Sequence, residues 1–191
     1  MQNKKIMSAL TAGVMTMGMM LSSFANAANT TVNMQILGGT VTYGAPASLT
    51  YATTLSTSFA AQTLSQDFTG VANYFWIQDL KGSNSGYNTT LQLSGNLVAG
   101  AFTISGSNVS FRSLGSVVTV SGAVNTGVQY DAATVAYQAL NTSRTFIYRP
   151  NAANAGKIGY YAGTINLKVD VPASQPAGSY AGTLVYTLIE N

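Results

Sequence analysis

The sequence predicts an all-β protein, a single antiparallel β-sandwich of Ig-like or Greek-key type over residues 28–191, behind a signal peptide over residues 1–27. Three observations lead there. Short segments alternate apolar and polar residues with a period of two, Gly, Pro and Asn turn residues separate them at close spacing, and no segment after residue 27 shows an apolar helical period.

The N-terminus is set aside first. Lys4 and Lys5 precede an apolar run from Ile6 to Leu21, and Ala25 and Ala27 occupy the small-residue positions of a secretory cleavage site, which places the cut after Ala27. Thr11, Gly13, Thr16 and Gly18 interrupt the run, and it is too short for a membrane span. Removing it takes away two of the eight basic side chains and leaves six against five acidic ones. The basic pI therefore belongs largely to the leader and gives no support to nucleic-acid binding. Secretion is the expectation, with no membrane span in the mature chain. Cys is absent, so stability has to come from sheet hydrogen bonds and an apolar core.

In the mature chain, TVNMQIL (31–37) alternates Val32, Met34 and Ile36 with polar residues and is the first expected strand, ended by Gly38 and Gly39. TVTY (40–43) and SLTYATTL (48–55, with Leu49 and Tyr51 in phase) follow, and a weaker strand leads to Phe68. VANYFWIQDL (71–80) is the most aromatic stretch, with Tyr74 and Trp76 facing one way and Phe75 and Ile77 the other, as in a central strand. The loop KGSNSG leads to YNTTLQLSG (87–95), where Thr89, Leu91 and Leu93 are in phase. AFTIS, NVSFRSL, SVVTVS, VQYDAATVAY and RTFIYR supply further strands, between loops such as NAANAGK (151–157).

Residues 160–191 read as one hairpin. In its first arm Tyr161, Gly163, Ile165, Leu167, Val169 and Val171 alternate with Thr164, Asn166, Lys168 and Asp170. PASQPAG breaks the chain, because Pro172 and Pro176 lack an amide donor. In the second arm Tyr180, Leu184, Tyr186 and Leu188 share one side, while Val185 and Ile189 interleave with Thr183 and Thr187 on the other. A strand apolar on both faces asks for cover on both, from a second layer of its own domain or from a partner.

The chemistry is restricted. Without His or Cys there is no Ser-His-Asp or Cys-His arrangement and no imidazole or thiolate metal ligand. Asp67, Asp79, Asp131, Asp170 and Glu190 are scattered, so no catalytic residue, cofactor or metal is expected and the protein reads as non-enzymatic. Asp79, Lys81, Gly82, Asn84 and Ser85 suggest a calcium loop, but the acidic count and closing Glu are missing. A structural turn is preferred, in which Asp79 and Asn84 hold backbone amides and Gly82 and Gly86 take positive φ. Tyr74, Phe75 and Trp76 form either a carbohydrate platform or the core of a two-faced strand, the second being favoured.

Two stretches together resemble the WxL family of secreted bacterial surface domains. DLKGSNSGYNTTL matches that family's first motif at Asp79, Gly82 and Gly86, with Lys81 for its Arg and Tyr87 for its Trp. PAGSYAGTLVYTL places Tyr186-Thr187-Leu188 in the Trp-x-Leu slot of its final strand. The resemblance implies non-covalent attachment to cell-wall polysaccharide or peptidoglycan, or to neighbouring surface proteins. It makes Tyr87, Tyr186 and Leu188 candidate contacts; Trp76 of the aromatic stretch joins them as a candidate carbohydrate contact, and Asp79, Lys81, Gly82 and Gly86 are read as a structural loop. The alternative is a structural subunit that self-assembles into a filament by strand complementation.

Overall fold

The computed structural model describes residues 34–82, 85–122, 127–151 and 157–191. The expected signal peptide and cleavage site, residues 31–33, Ser83 and Asn84 of the KGSNSG loop and residues 152–156 of the NAANAGK loop lie outside them. The chain divides into two units, Met1–Ile36 and Leu37–Asn191, and every described strand belongs to the second. Its early strands are β1 (Val41–Gly44), β2 (Gln62–Phe68), β3 (Phe75–Asp79), β4 (Tyr87–Leu93), β5 (Leu97–Ala99), β6 (Phe102–Ile104) and β7 (Val109–Ser113). The later ones are β8 (Val118–Gly122), β9 (Gln129–Tyr130), β10 (Gln138–Ala139), β11 (Arg144–Arg149), β12 (Gly159–Gly163), β13 (Ile165–Val171) and β14 (Leu184–Glu190). Among the described residues there is no α-helix, and so no helix long and apolar enough to cross a membrane.

All pairing is antiparallel. Sheet I has the order β1-β3-β12-β8, sheet II β10-β7-β13-β2 and sheet III β14-β4-β11-β9, while β5 and β6 form a small hairpin. Three passages of chain, β2 into β3, β7 into β8 and β12 into β13, each link sheets I and II, and β1 and β10 add the fourth strand of each. The third passage changes sheets at one residue, Thr164. Its carbonyl accepts from the Leu114 amide at 3.1 Å, and its amide donates to the Tyr130 hydroxyl at 2.9 Å.

Phe146 sits where the three sheets meet. It packs edge-on against Phe75 of sheet I (5.8 Å between ring centroids) and Phe111 of sheet II (5.7 Å), and stacks on Tyr130 of its own sheet (5.2 Å). Phe75 in turn meets Tyr186 of β14 at 5.3 Å, and Tyr43 of β1 meets it at 5.7 Å. Such edge-to-face contacts suit the ring quadrupoles and add to the gain from burial. The pairing of β11 with β4 shifts register between Thr145 and Tyr148, so the consecutive side chains of Phe146 and Ile147 are both fully buried. Thr89 covers this irregularity, its hydroxyl donating to the Ile147 carbonyl (3.0 Å) and accepting from the Ile147 amide (3.1 Å).

Several expectations are overturned. Met34–Leu37 form no strand, and Met34, Ile36 and Leu37 are exposed: alternation alone makes no strand where no neighbour supplies a ladder. SLTYATTL is irregular, although Leu49 and Tyr51 still pack on the core. In VQYDAATVAY only Gln129–Tyr130 is strand; Asp131 instead caps a 3-10 turn over Ala132–Val135 by accepting from the Ala133 amide at 3.0 Å.

The C-terminal hairpin is absent. β13 pairs with β2 and β7 on its two sides and β14 pairs with β4, so the two arms never meet. Residues 172–183 carry the chain between sheets II and III and are pinned by other segments. The Ser174 amide donates to the Ser58 carbonyl at 2.9 Å, and Ala181 exchanges both backbone bonds with Val98 at 2.8 and 3.0 Å. Nor is β14 a central strand covered on both faces. It lies at the edge of sheet III, with Tyr186 buried and Val185 and Ile189 facing outward, 42% and 49% exposed.

Replacing Phe146 by Ala removes the ring that all three sheets share. Urea unfolding followed by circular dichroism is expected to show a loss of about 3–5 kcal/mol, the range for a buried aromatic left as a cavity. A loss below about 1 kcal/mol would show that the sheets do not depend on this contact.

Candidate functional site

The two stretches that carry the resemblance are far apart in sequence and adjacent in space. β4 and β14 pair along their whole length, with Leu91 opposite Tyr186 and Tyr87 opposite Glu190. Asp79 ends β3 in sheet I, and Arg149 ends β11 in sheet III opposite Tyr87. Their side chains are fully buried and form an ion pair, Arg149 Nη1 to Asp79 Oδ2, at 2.5 Å. The guanidinium also lies over the Tyr87 ring, 5.1 Å from its centroid, and Nη2 donates to the Ser85 carbonyl. The other carboxylate oxygen of Asp79 accepts from the Lys81 amide at 3.0 Å.

Neighbouring bonds close the arrangement. Lys81 forms an ion pair with Glu190, the Gly86 amide donates to Asn151 Oδ1 at 2.6 Å, and the Asn191 amide donates to the Gly86 carbonyl at 3.1 Å. Gly82 has φ +59°, the left-handed conformation expected of it. Gly86 is not in that region, contrary to expectation. A side chain is excluded there because a Cβ would collide with the Arg149 carbonyl and with Asn151.

This geometry removes Tyr87 and Tyr186 as surface contacts. Tyr87 is 0% exposed and Tyr186 8%, so neither offers a ring face to an external polymer, while Leu188 is half-buried. Burial pushes the ionisation of both tyrosine hydroxyls well above the usual value, and the Asp79 carboxylate adds to this at Tyr87.

Trp76 lies elsewhere. Phe75 and Ile77 turn inward and are buried, which directs Trp76 and Gln78 to the outer side of sheet I. The register lines up two outward rows, Thr42–Gln78–Tyr160–Ser121 and Gly44–Trp76–Ala162–Val118. Trp76 and Tyr160 are partly exposed and meet edge to face, 5.6 Å between centroids at 72°. A Cβ on Gly44 would fall 2.5 Å from the indole, so the ring lies directly over that backbone.

The outer side of sheet II is of opposite character. Asn166 Nδ2 donates to Asp67 at 2.5 Å, its oxygen accepts from Ser65 (2.9 Å) and Tyr137 (2.7 Å), and Arg112 and Lys168 both approach the Tyr137 ring. Lys168 pairs with Asp170 at 2.9 Å and, with the Thr63 hydroxyl, holds that carboxyl below its ordinary range.

Sequence reasoning missed Arg149 and Tyr160. Arg149 is out of keeping with an apolar strand in a chain of few charges, which is the signal that marks it. Tyr160 becomes significant only once β12 lies beside β3.

Replacing Arg149 by Met strands the buried Asp79 carboxylate and is expected to cost about 3–5 kcal/mol in urea unfolding. The double variant Asp79→Asn/Arg149→Met is expected to recover most of it; a double variant as unstable as the single would refute the pairing as the cause.

Tyr51, Tyr87, Tyr130 and Tyr186 all have folded-state pKa values raised above the ordinary 10.0, chiefly by burial. The folded state holds these protons more tightly than the unfolded state, so stability is full below pH 10 and falls as pH rises beyond it. The part of the tyrosinate absorbance that belongs to these four residues is expected to appear together with loss of the β-sheet signal above about pH 10. Full tyrosine ionisation in a folded protein would contradict it.

No family model, no curated protein and no solved structure matches this chain.

Proposed function

We propose that the protein is a secreted, non-catalytic cell-surface module of WxL-like type, a single antiparallel β-sandwich of Ig-like or Greek-key type, exported after cleavage behind Ala27. It adheres to cell-wall polysaccharide or peptidoglycan, or to a neighbouring surface protein. The observation that carries this reading is the convergence of the two resemblance stretches: Asp79, Gly82, Gly86 and Tyr87 assemble around Arg149, and Tyr186 lies on the strand paired with Tyr87. In this reading the Tyr residues standing at the family's Trp positions are core residues, and attachment depends on a different face of the domain.

A second reading, self-assembly through strand addition, has one observation in its favour. The outer edge of β14 is unpaired among the described residues, its pairing with β4 has no bulge, and Val185 and Ile189 are exposed beside it.

One experiment separates the two readings. The purified mature chain is pelleted with isolated cell walls and, in parallel, sedimented alone. The surface-module reading expects pelleting with walls, a monomer in free solution and unchanged pelleting for Val185→Lys. Polymers that Val185→Lys abolishes, with no wall pelleting, would replace it with the filament reading.

A further inference from the structure

We infer that the outer face of sheet I is a binding site for a linear neutral polysaccharide, with Trp76 and Tyr160 as the stacking residues; this rests on the surface-module reading and supplies its contact face. The two outward rows contain no charged residue. The outer face of sheet II, linked to sheet I by three chain passages, carries Asp67, Arg112, Lys168 and Asp170. The division selects an uncharged ligand for sheet I, because a polyanion would gain no counter-charge on those rows and an acidic or basic peptide would lose hydration without a partner.

The shape points to sugars. Trp76 and Tyr160 stand at 72° to one another and form a corner, so a pyranose stacked on one ring has the edge of the other against its side. Gly44, half-buried and without a side chain, flanks Trp76 on the β1 side, while Ala162 on its other side is fully buried, so the indole is approached from the β1 side of the row. Thr42, Gln78 and Ser121, all exposed, fill the adjacent row around Tyr160. Their hydroxyl and amide groups both donate and accept hydrogen bonds, as sugar hydroxyls do, and none carries a charge to be desolvated. Four strands about 4.8 Å apart make the Thr42–Gln78–Tyr160–Ser121 row roughly 15 Å long, a span suited to a chain more than to a monosaccharide.

Trp76 is the chain's one tryptophan, so its fluorescence reports on this face alone. The mature chain is titrated with chitopentaose and with cellopentaose, both neutral, and with poly(glycerol phosphate) as a polyanionic control. At least one neutral oligosaccharide is expected to shift Trp76 emission saturably, and the polyanion to leave it unchanged. Tyr160→Ala and Gln78→Glu are expected to weaken that binding at least tenfold with circular dichroism preserved; Gln78 is exposed, so its variant tests the site without burdening the fold. No response to either neutral probe, or equal affinity in both variants, would overturn the site. If wild-type protein still pelleted with cell walls in that case, the surface-module reading would stand and its contact would lie on another face. Oligosaccharide binding without wall pelleting would uphold the site and overturn wall attachment.

Discussion

The interaction on which the arrangement depends is the ion pair between Asp79 and Arg149, made in full burial between the end of a strand in sheet I and the end of a strand in sheet III. Two charges removed from water are held only where further hydrogen bonds compensate. The carboxylate takes a second donor from the Lys81 amide, and the guanidinium lies over Tyr87 and donates to Ser85. The pair therefore fixes the loop after β3, the start of β4 and the end of β11 at once. With Lys81 bound to Glu190 and the Asn191 amide bound to Gly86, the end of β14 is fixed as well.

The Asp-x-Lys-Gly motif thus fastens sheet I to sheet III through its Asp. That its Tyr is buried explains how an aromatic position can be held without offering a surface contact. The face that is open to solvent and aromatic belongs instead to the opposite side of the adjoining strand, one residue out of phase with the core. Alternation along β3 separates the two roles cleanly: Phe75, Ile77 and Asp79 hold the sheets together, while Trp76 and Gln78 point away from them.

Period-two alternation made the strands legible wherever burial is one-sided, as in β4, where Thr89, Leu91 and Leu93 are all buried. The inward and outward sides of β3 were equally legible. Partnership was not. The hairpin expected over residues 160–191 failed because alternation says which face of a strand is buried and nothing about which strand lies beside it, and each arm finds its ladder far away in sequence. Of the site, Asp79 and its loop were visible as a motif, but Arg149 and Tyr160 acquire meaning only from neighbours that the fold supplies. The buried Tyr87 and Tyr186 were misplaced because an aromatic residue on a strand reads the same whether it faces core or solvent.

The way the three long passages share their partners has a bearing on the order in which the chain folds. β2 has β13 as its partner, β3 takes one of its two partners from β11 or later, and β4 takes both. A chain emerging from its N-terminus therefore presents β2 with no ladder until residues 165–171 arrive; sheet I waits for β12 (Gly159–Gly163) and sheet II for β13. Such dependence on distant segments makes folding slow and concerted. The same delay leaves the edges of β2 and β3 open while the polypeptide is still being made, the condition in which a nascent strand can pair with the wrong neighbour.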